Sequence, residues 1–114
     1  YEISACLVGS EMCIRDSTER VMALWNGHFG EGVLFSGERL GMGAEDFPFF
    51  TVNPYIPSLY FAVGGTPPED FASEKAGGPP VPSHHSPLFK IEPDASVTLG
   101  VEASVTALLD LLGS

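Results

Sequence analysis

The sequence predicts an α/β fold, because apolar stripes at helical spacing alternate with short continuous apolar runs of strand type. Three stretches carry that reading. Val21, Met22, Trp25 and Phe29 recur at the spacing of one helix face. Leu59-Tyr-Phe-Ala-Val63 is an unbroken apolar run closed by Gly64-Gly65. Val97, Val101, Val105, Leu108 and Leu112 form a second stripe at steps of three and four.

The elements follow in order. Residues 1–16 lack a clear period of two or of 3.6. The string from Cys6 to Asp16 resembles a sequence that recurs at the broken ends of metagenome-derived translations. Residues 1–16 therefore read as a non-native or disordered segment, and 17–114 as the folded portion. Asp16 and Glu19 fit an N-terminal capping pair for the first helix. Gly27 and Gly30-Glu31-Gly32 leave its end ragged, and Val33-Leu34-Phe35 reads as a short strand. Gly37, Gly41 and Gly43 punctuate a loop. Ala44 to Phe50 reads as a short helix, with Glu45 and Asp46 in the first turn, where carboxylates suit the helix dipole. Pro54 and Pro57 bracket a turn. Leu59 to Val63 has the pattern of a strand buried on both faces.

Residues 66–83 contain Pro67-Pro68, Gly77-Gly78, Pro79-Pro80 and Pro82. That density predicts a long loop without regular structure. The last helix is expected to be capped by Asp94, just after Pro93, and to stop at Gly113.

The 114 residues suffice for one small domain. Their formal net charge of -10, with only five Lys and Arg, argues against nucleic acid or an anionic membrane as partner. No uninterrupted apolar run reaches the roughly 18 residues of a membrane span. Residues 3–9 have no basic stretch before them and make a poor signal peptide. The expected compartment is the cytoplasm. Cys6 and Cys13 form neither a C-x-x-C pair nor part of a zinc finger, so two unpaired thiols in a reducing environment are expected.

Few residues stand out for chemistry. His28 falls near the end of the first helix, where a cationic side chain suits the dipole without any ligation. His84 and His85 lie at the exit of the Pro/Gly stretch, just before Ser86-Pro87. Pro87 favours an extended Ser86, which would present an imidazole at a fixed angle. By itself, a His-His pair in a loop is an ordinary exposed pair. Glu45 and Asp46 could serve as metal ligands or as a general acid and base, and their helix-start position is an equally good reason for them to be there. Gly41-Met-Gly43 does not complete a dinucleotide fingerprint, because Asp46 stands where the third glycine belongs. There is no G-x-S-x-G elbow to enlist Ser86.

Two motifs in order bring these residues together. Gly41-Met-Gly-Ala-Glu-Asp-Phe47 resembles the G-(A/S)-E-D-F signature of the aminoacylase/hippurate-hydrolase metallopeptidase family, and His85-Ser-Pro87 is similar to that family's later H-(S/N)-P motif. Leu59 to Gly64 looks like its core strand, and Glu92-Pro-Asp-Ala95 leads into a final helix as its ending does. The resemblance covers about residues 17–114. It implies the C-terminal part of a zinc-peptidase-like catalytic domain, with a central mixed sheet flanked by helices. It also implies two divalent metal ions, zinc or manganese, in the complete active site. The implied reaction is hydrolysis of the amide of an N-acyl amino acid or related small amide by a metal-activated water, with a Glu as base. The implied assembly is a homodimer of the full-length enzyme. His85 maps onto a metal ligand, His84 has no matching role, and Glu45 and Asp46 are near-site residues without an assigned role. The remaining ligands and the general base would lie upstream, so no catalytic residue is expected in this chain and the chain alone should be inactive. Two other readings stay open: a small acidic non-catalytic binding domain, and a self-contained one-metal hydrolase using His84, His85 and Glu45.

Overall fold

A computed structural model describes residues 3–6, 11–35, 49 and 53–113. The element order is β1 (Ile3–Cys6), α1 (Glu11–Phe29), β2 (Tyr60–Val63), α2 (Pro68–Lys75) and α3 (Pro93–Leu112). Strands and helices are mixed, as the α/β class requires in its coarse form.

β1 and β2 pair antiparallel, with Ile3 opposite Val63 and Cys6 opposite Tyr60. Ile3 also forms a parallel bridge with Leu34. Its N–H donates to the Val33 carbonyl at 2.7 Å, and its carbonyl accepts from the Phe35 N–H at 2.9 Å. The Val33–Phe35 run, expected as a short strand, forms this isolated bridge and not a named strand among the described residues.

Ile3 is fully buried, beside Val21 and Trp25 of α1 and Ala103 and Ala107 of α3. Phe29, Leu34, Leu59, Phe61 and Leu99 pack around this core. Phe61 meets the Trp25 ring edge-on, with centroids 4.9 Å apart, an arrangement the aromatic quadrupoles favour. α1 and α3 run antiparallel, since Arg20 pairs with Asp110 while His28 lies 4.0 Å from Glu102.

Several local expectations need correction. α1 begins at Glu11, five residues ahead of Asp16, and passes through Gly27 before ending at Phe29. Gly30 and Gly32 have positive φ (92° and 95°), and together they turn the chain back toward Val33. Part of the segment read as non-native or disordered is thus β1 and the opening turns of α1.

The 66–83 stretch is not irregular throughout, because α2 occupies eight of its residues. Pro68 sits at the helix start, where a missing N–H costs nothing. Glu69 and Asp70 fill the first turn and Lys75 the last. Gly77, at φ 89°, follows the end. Prolines before and glycines after a helix punctuate it rather than forbid it.

α3 starts from Glu92 rather than Asp94, with Pro93 at its first position. Gly113 stops it as expected, its N–H donating to the Leu109 carbonyl at 2.9 Å. β2 is only half-buried, with Ala62 exposed, so it is not covered on both faces by the described residues.

The larger surprise concerns which face of α3 is packed. The buried positions are Ser96, Ala103 and Ala107. Val97, Val101, Val105, Leu108 and Leu112 remain 46% to 81% exposed. Although no uninterrupted apolar run spans it, α3 is long and apolar enough by length and composition to cross a membrane. Glu102 near its middle opposes such a placement, since a charge at the bilayer centre costs about 2.5–3.5 kcal/mol or more.

Candidate functional site around His84 and His85

The segment after α2 is fastened at several points. Gly78 closes against Ser73, and its N–H donates to the Ser73 carbonyl at 2.9 Å. The Val81 N–H donates to the Glu74 carboxylate at 3.2 Å. Pro79 to Pro82 therefore lie along α2 as a strap, and with Asp70, Ser73, Leu88 and Lys90 they line an open cleft of about 320 Å³.

Beyond the strap come two consecutive turns. The Ser86 N–H donates to the Ser83 carbonyl at 2.8 Å, and the Phe89 N–H donates to the Ser86 carbonyl at 3.1 Å. His84 and His85 are the two central residues of the first turn. Pro87 takes the second position of the next, where its fixed φ is favoured. The Ser86 hydroxyl braces that turn by accepting from the Leu88 N–H at 3.1 Å. The histidines are thus held on a braced corner rather than on the extended approach expected from Pro87. The chain then returns to the end of β2, where the Glu92 N–H donates to the Gly65 carbonyl at 2.8 Å.

Both imidazoles are exposed. Their ring centroids are 4.4 Å apart and tilted by 46°, and neither ring makes a hydrogen bond or ion pair among the described residues. His85 is therefore accessible to a ligand. Glu45 and Asp46 lie outside the described residues, and so do Gly41–Phe47 as a motif and the short helix expected over 44–50.

Among the described residues, no group of three or more His, Cys, Asp or Glu could hold a metal ion. His28 stays at the α1 terminus, edge-on to Phe29 with centroids 4.7 Å apart, in keeping with a helix-end role.

Sequence reasoning missed the strap and the double turn. Their signals were present in Glu74, in Gly77-Gly78 and in Ser86-Pro87, whose hydroxyl-then-proline order favours a side-chain-braced turn. No family model, no curated protein and no solved structure matches the chain.

Proposed function

We propose that residues 17–114 are the C-terminal portion of the catalytic domain of a metal-dependent amidohydrolase, with His85 as one ligand of a two-metal site. The substrate class is an N-acyl amino acid or related small amide, and the metals are zinc or manganese. The compartment is the cytoplasm and the full-length enzyme is a homodimer. The finer fold that goes with this reading is a zinc-peptidase-like domain with a central mixed sheet flanked by helices.

The observation that carries the reading is the ordered pair of motifs, Gly43-Ala-Glu-Asp-Phe47 followed by His85-Ser-Pro87. A supporting observation is that His85 sits on a turn braced by Ser86, exposed and unengaged. A ligand needs a fixed backbone and a free ring nitrogen. Because the described residues offer no third ligand, no catalytic step is assigned to this chain alone.

Residues 1–16 belong to this reading as a segment foreign to the native protein. β1 pairs with β2 and buries Ile3 in the core, so on this reading a native upstream segment takes its place. The test is the DNA upstream of the codon for residue 17. The expected outcome is an uninterrupted reading frame carrying further His, Asp and Glu ligands and a Glu base. A frame without them would overturn the reading.

The alternative is a small acidic binding domain without catalysis, favoured by the net charge of -10. It requires residues 17–114 to melt cooperatively on their own and to ignore chelators.

A further inference from the structure

The cleft between α2 and its proline strap is built from residues that the metal reading leaves unused. Asp70 and Ser73 are three apart on α2, so they share one face of that helix. That face is one wall of the cleft, and Pro79 to Pro82 are the other. Leu88 and Lys90 line it from the segment beyond the His84–His85 corner. The strap is held by the Gly78 and Val81 N–H groups, bonded to the Ser73 carbonyl and the Glu74 carboxylate. It has no N–H left for a ligand, because three of its four residues are prolines and the Val81 N–H is taken by Glu74. What it supplies is a stiff apolar surface. Leu88 extends that surface and is itself 71% exposed.

Charged recognition therefore falls to Asp70 and Lys90. Asp70 is half-buried and Lys90 exposed. Neither side chain makes an ion pair or a hydrogen bond among the described residues, so the two line one cleft without pairing with each other. An ammonium group is scarce in this chain, which has five Lys and Arg against fifteen Asp and Glu. A simple anion entering the cleft would meet Asp70, and a simple cation would meet Lys90. A molecule that carries both charges satisfies both. With about 320 Å³, the cleft is at the small end of ligand sites, which span roughly 300–1,000 Å³.

We propose that this cleft binds a free α-amino acid with an apolar side chain. Asp70 accepts from its ammonium group, Lys90 donates to its carboxylate, and its side chain lies against the strap and Leu88. Both polar contacts are charge-assisted, the stronger kind of hydrogen bond. The braced strap spares the ligand the cost of ordering that wall. An α-amino acid is also what the proposed hydrolysis would release. The cleft lies wholly within residues 70–90 and needs no metal, so it stands with or without that activity.

Amide NMR titrations of the 114-residue chain in EDTA test the proposal. The probes are L-leucine, isoamylamine, which is leucine without its carboxylate, and isocaproate, which is leucine without its amino group. L-leucine should shift the Val81 and Leu88 amides saturably in the millimolar range. Isoamylamine and isocaproate should bind at least about tenfold more weakly, each having lost one charge-assisted contact. Asp70→Asn and Lys90→Gln should each weaken L-leucine by at least about tenfold. Glu69→Gln removes a neighbouring charge outside the lining and should leave binding unchanged. No saturable shift with L-leucine overturns the proposal. A response to isoamylamine equal to that of leucine would mean a site for cations, and an equal response to isocaproate a site for anions. Equal responses to all three would mean an unselective apolar patch. Each of these results overturns it, as does L-leucine binding that survives Asp70→Asn or Lys90→Gln. Leucine binding by a chain whose longer polypeptide takes up no metal would keep this proposal and remove the proposed activity.

Discussion

The indole N–H of Trp25 donates a buried hydrogen bond of 3.0 Å to the main-chain carbonyl of Ala103. This bond sets the register of α1 against α3 and fixes the small-residue face of α3 inward. Trp25→Phe keeps most of the ring volume and loses the donor. It should lower stability by about 1–2 kcal/mol, and Trp25→Ala by about 3–5 kcal/mol, because a cavity is added to the lost bond. Urea melts followed by circular dichroism measure both, since the only tryptophan is removed.

Ile3 is fully buried, and both its main-chain groups bond to the Val33–Phe35 run. Ile3→Ala should cost about 2–5 kcal/mol in the 114-residue chain. A melt unchanged by the substitution would mean that β1 is no part of the folded unit.

The Thr18 hydroxyl is buried without a hydrogen-bond partner among the described residues. Thr18→Val preserves shape and β-branching and removes the unsatisfied group. It should raise stability by about 1 kcal/mol, read as a higher urea midpoint at unchanged slope. A loss of stability would reveal a partner for that hydroxyl.

Gly78 has no room for a side chain, because a Cβ there would stand 2.8 Å from the Ser73 carbonyl oxygen. Gly78→Ala should detach the strap from the end of α2. Hydrogen exchange should then speed up at the Val81 N–H, which is bonded to Glu74, while the Trp25 core stays protected. By contrast, the Arg20–Asp110 pair, 2.7 Å long and partly exposed, should contribute less than about 1 kcal/mol and weaken with salt.

The legible and illegible parts of this chain divide on physical grounds. Helices α1 and α3 were readable because periodicity reports which residues share a face. Which face packs is another matter. At α1 the largest residues, Val21 and Trp25, face the core. At α3 the small ones do, because Ala103 and Ala107 let the Trp25 ring approach the helix backbone. A rule that buries the largest stripe selects the wrong side of α3. Pro/Gly density misled at α2 because it counts residues without their order, and Pro67-Pro68 before and Gly77-Gly78 after are helix boundaries. At the candidate site, Ser86-Pro87 singles out His85 in the sequence, whereas its turn depends on the hydrogen bonds of Ser83 and Ser86, which pattern alone does not specify.

The claim that His85 is a metal ligand is tested most directly by metal content. The polypeptide of the uninterrupted reading frame is purified as wild type, His84→Ala and His85→Ala, and bound zinc and manganese are counted per chain. Because His84 and His85 are exposed corner residues, neither substitution should disturb folding. The wild type and His84→Ala should each carry two metal ions, and His85→Ala should lose at least one of them together with amide hydrolysis. Equal metal content in all three proteins, or equal losses from His84→Ala and His85→Ala, would contradict it.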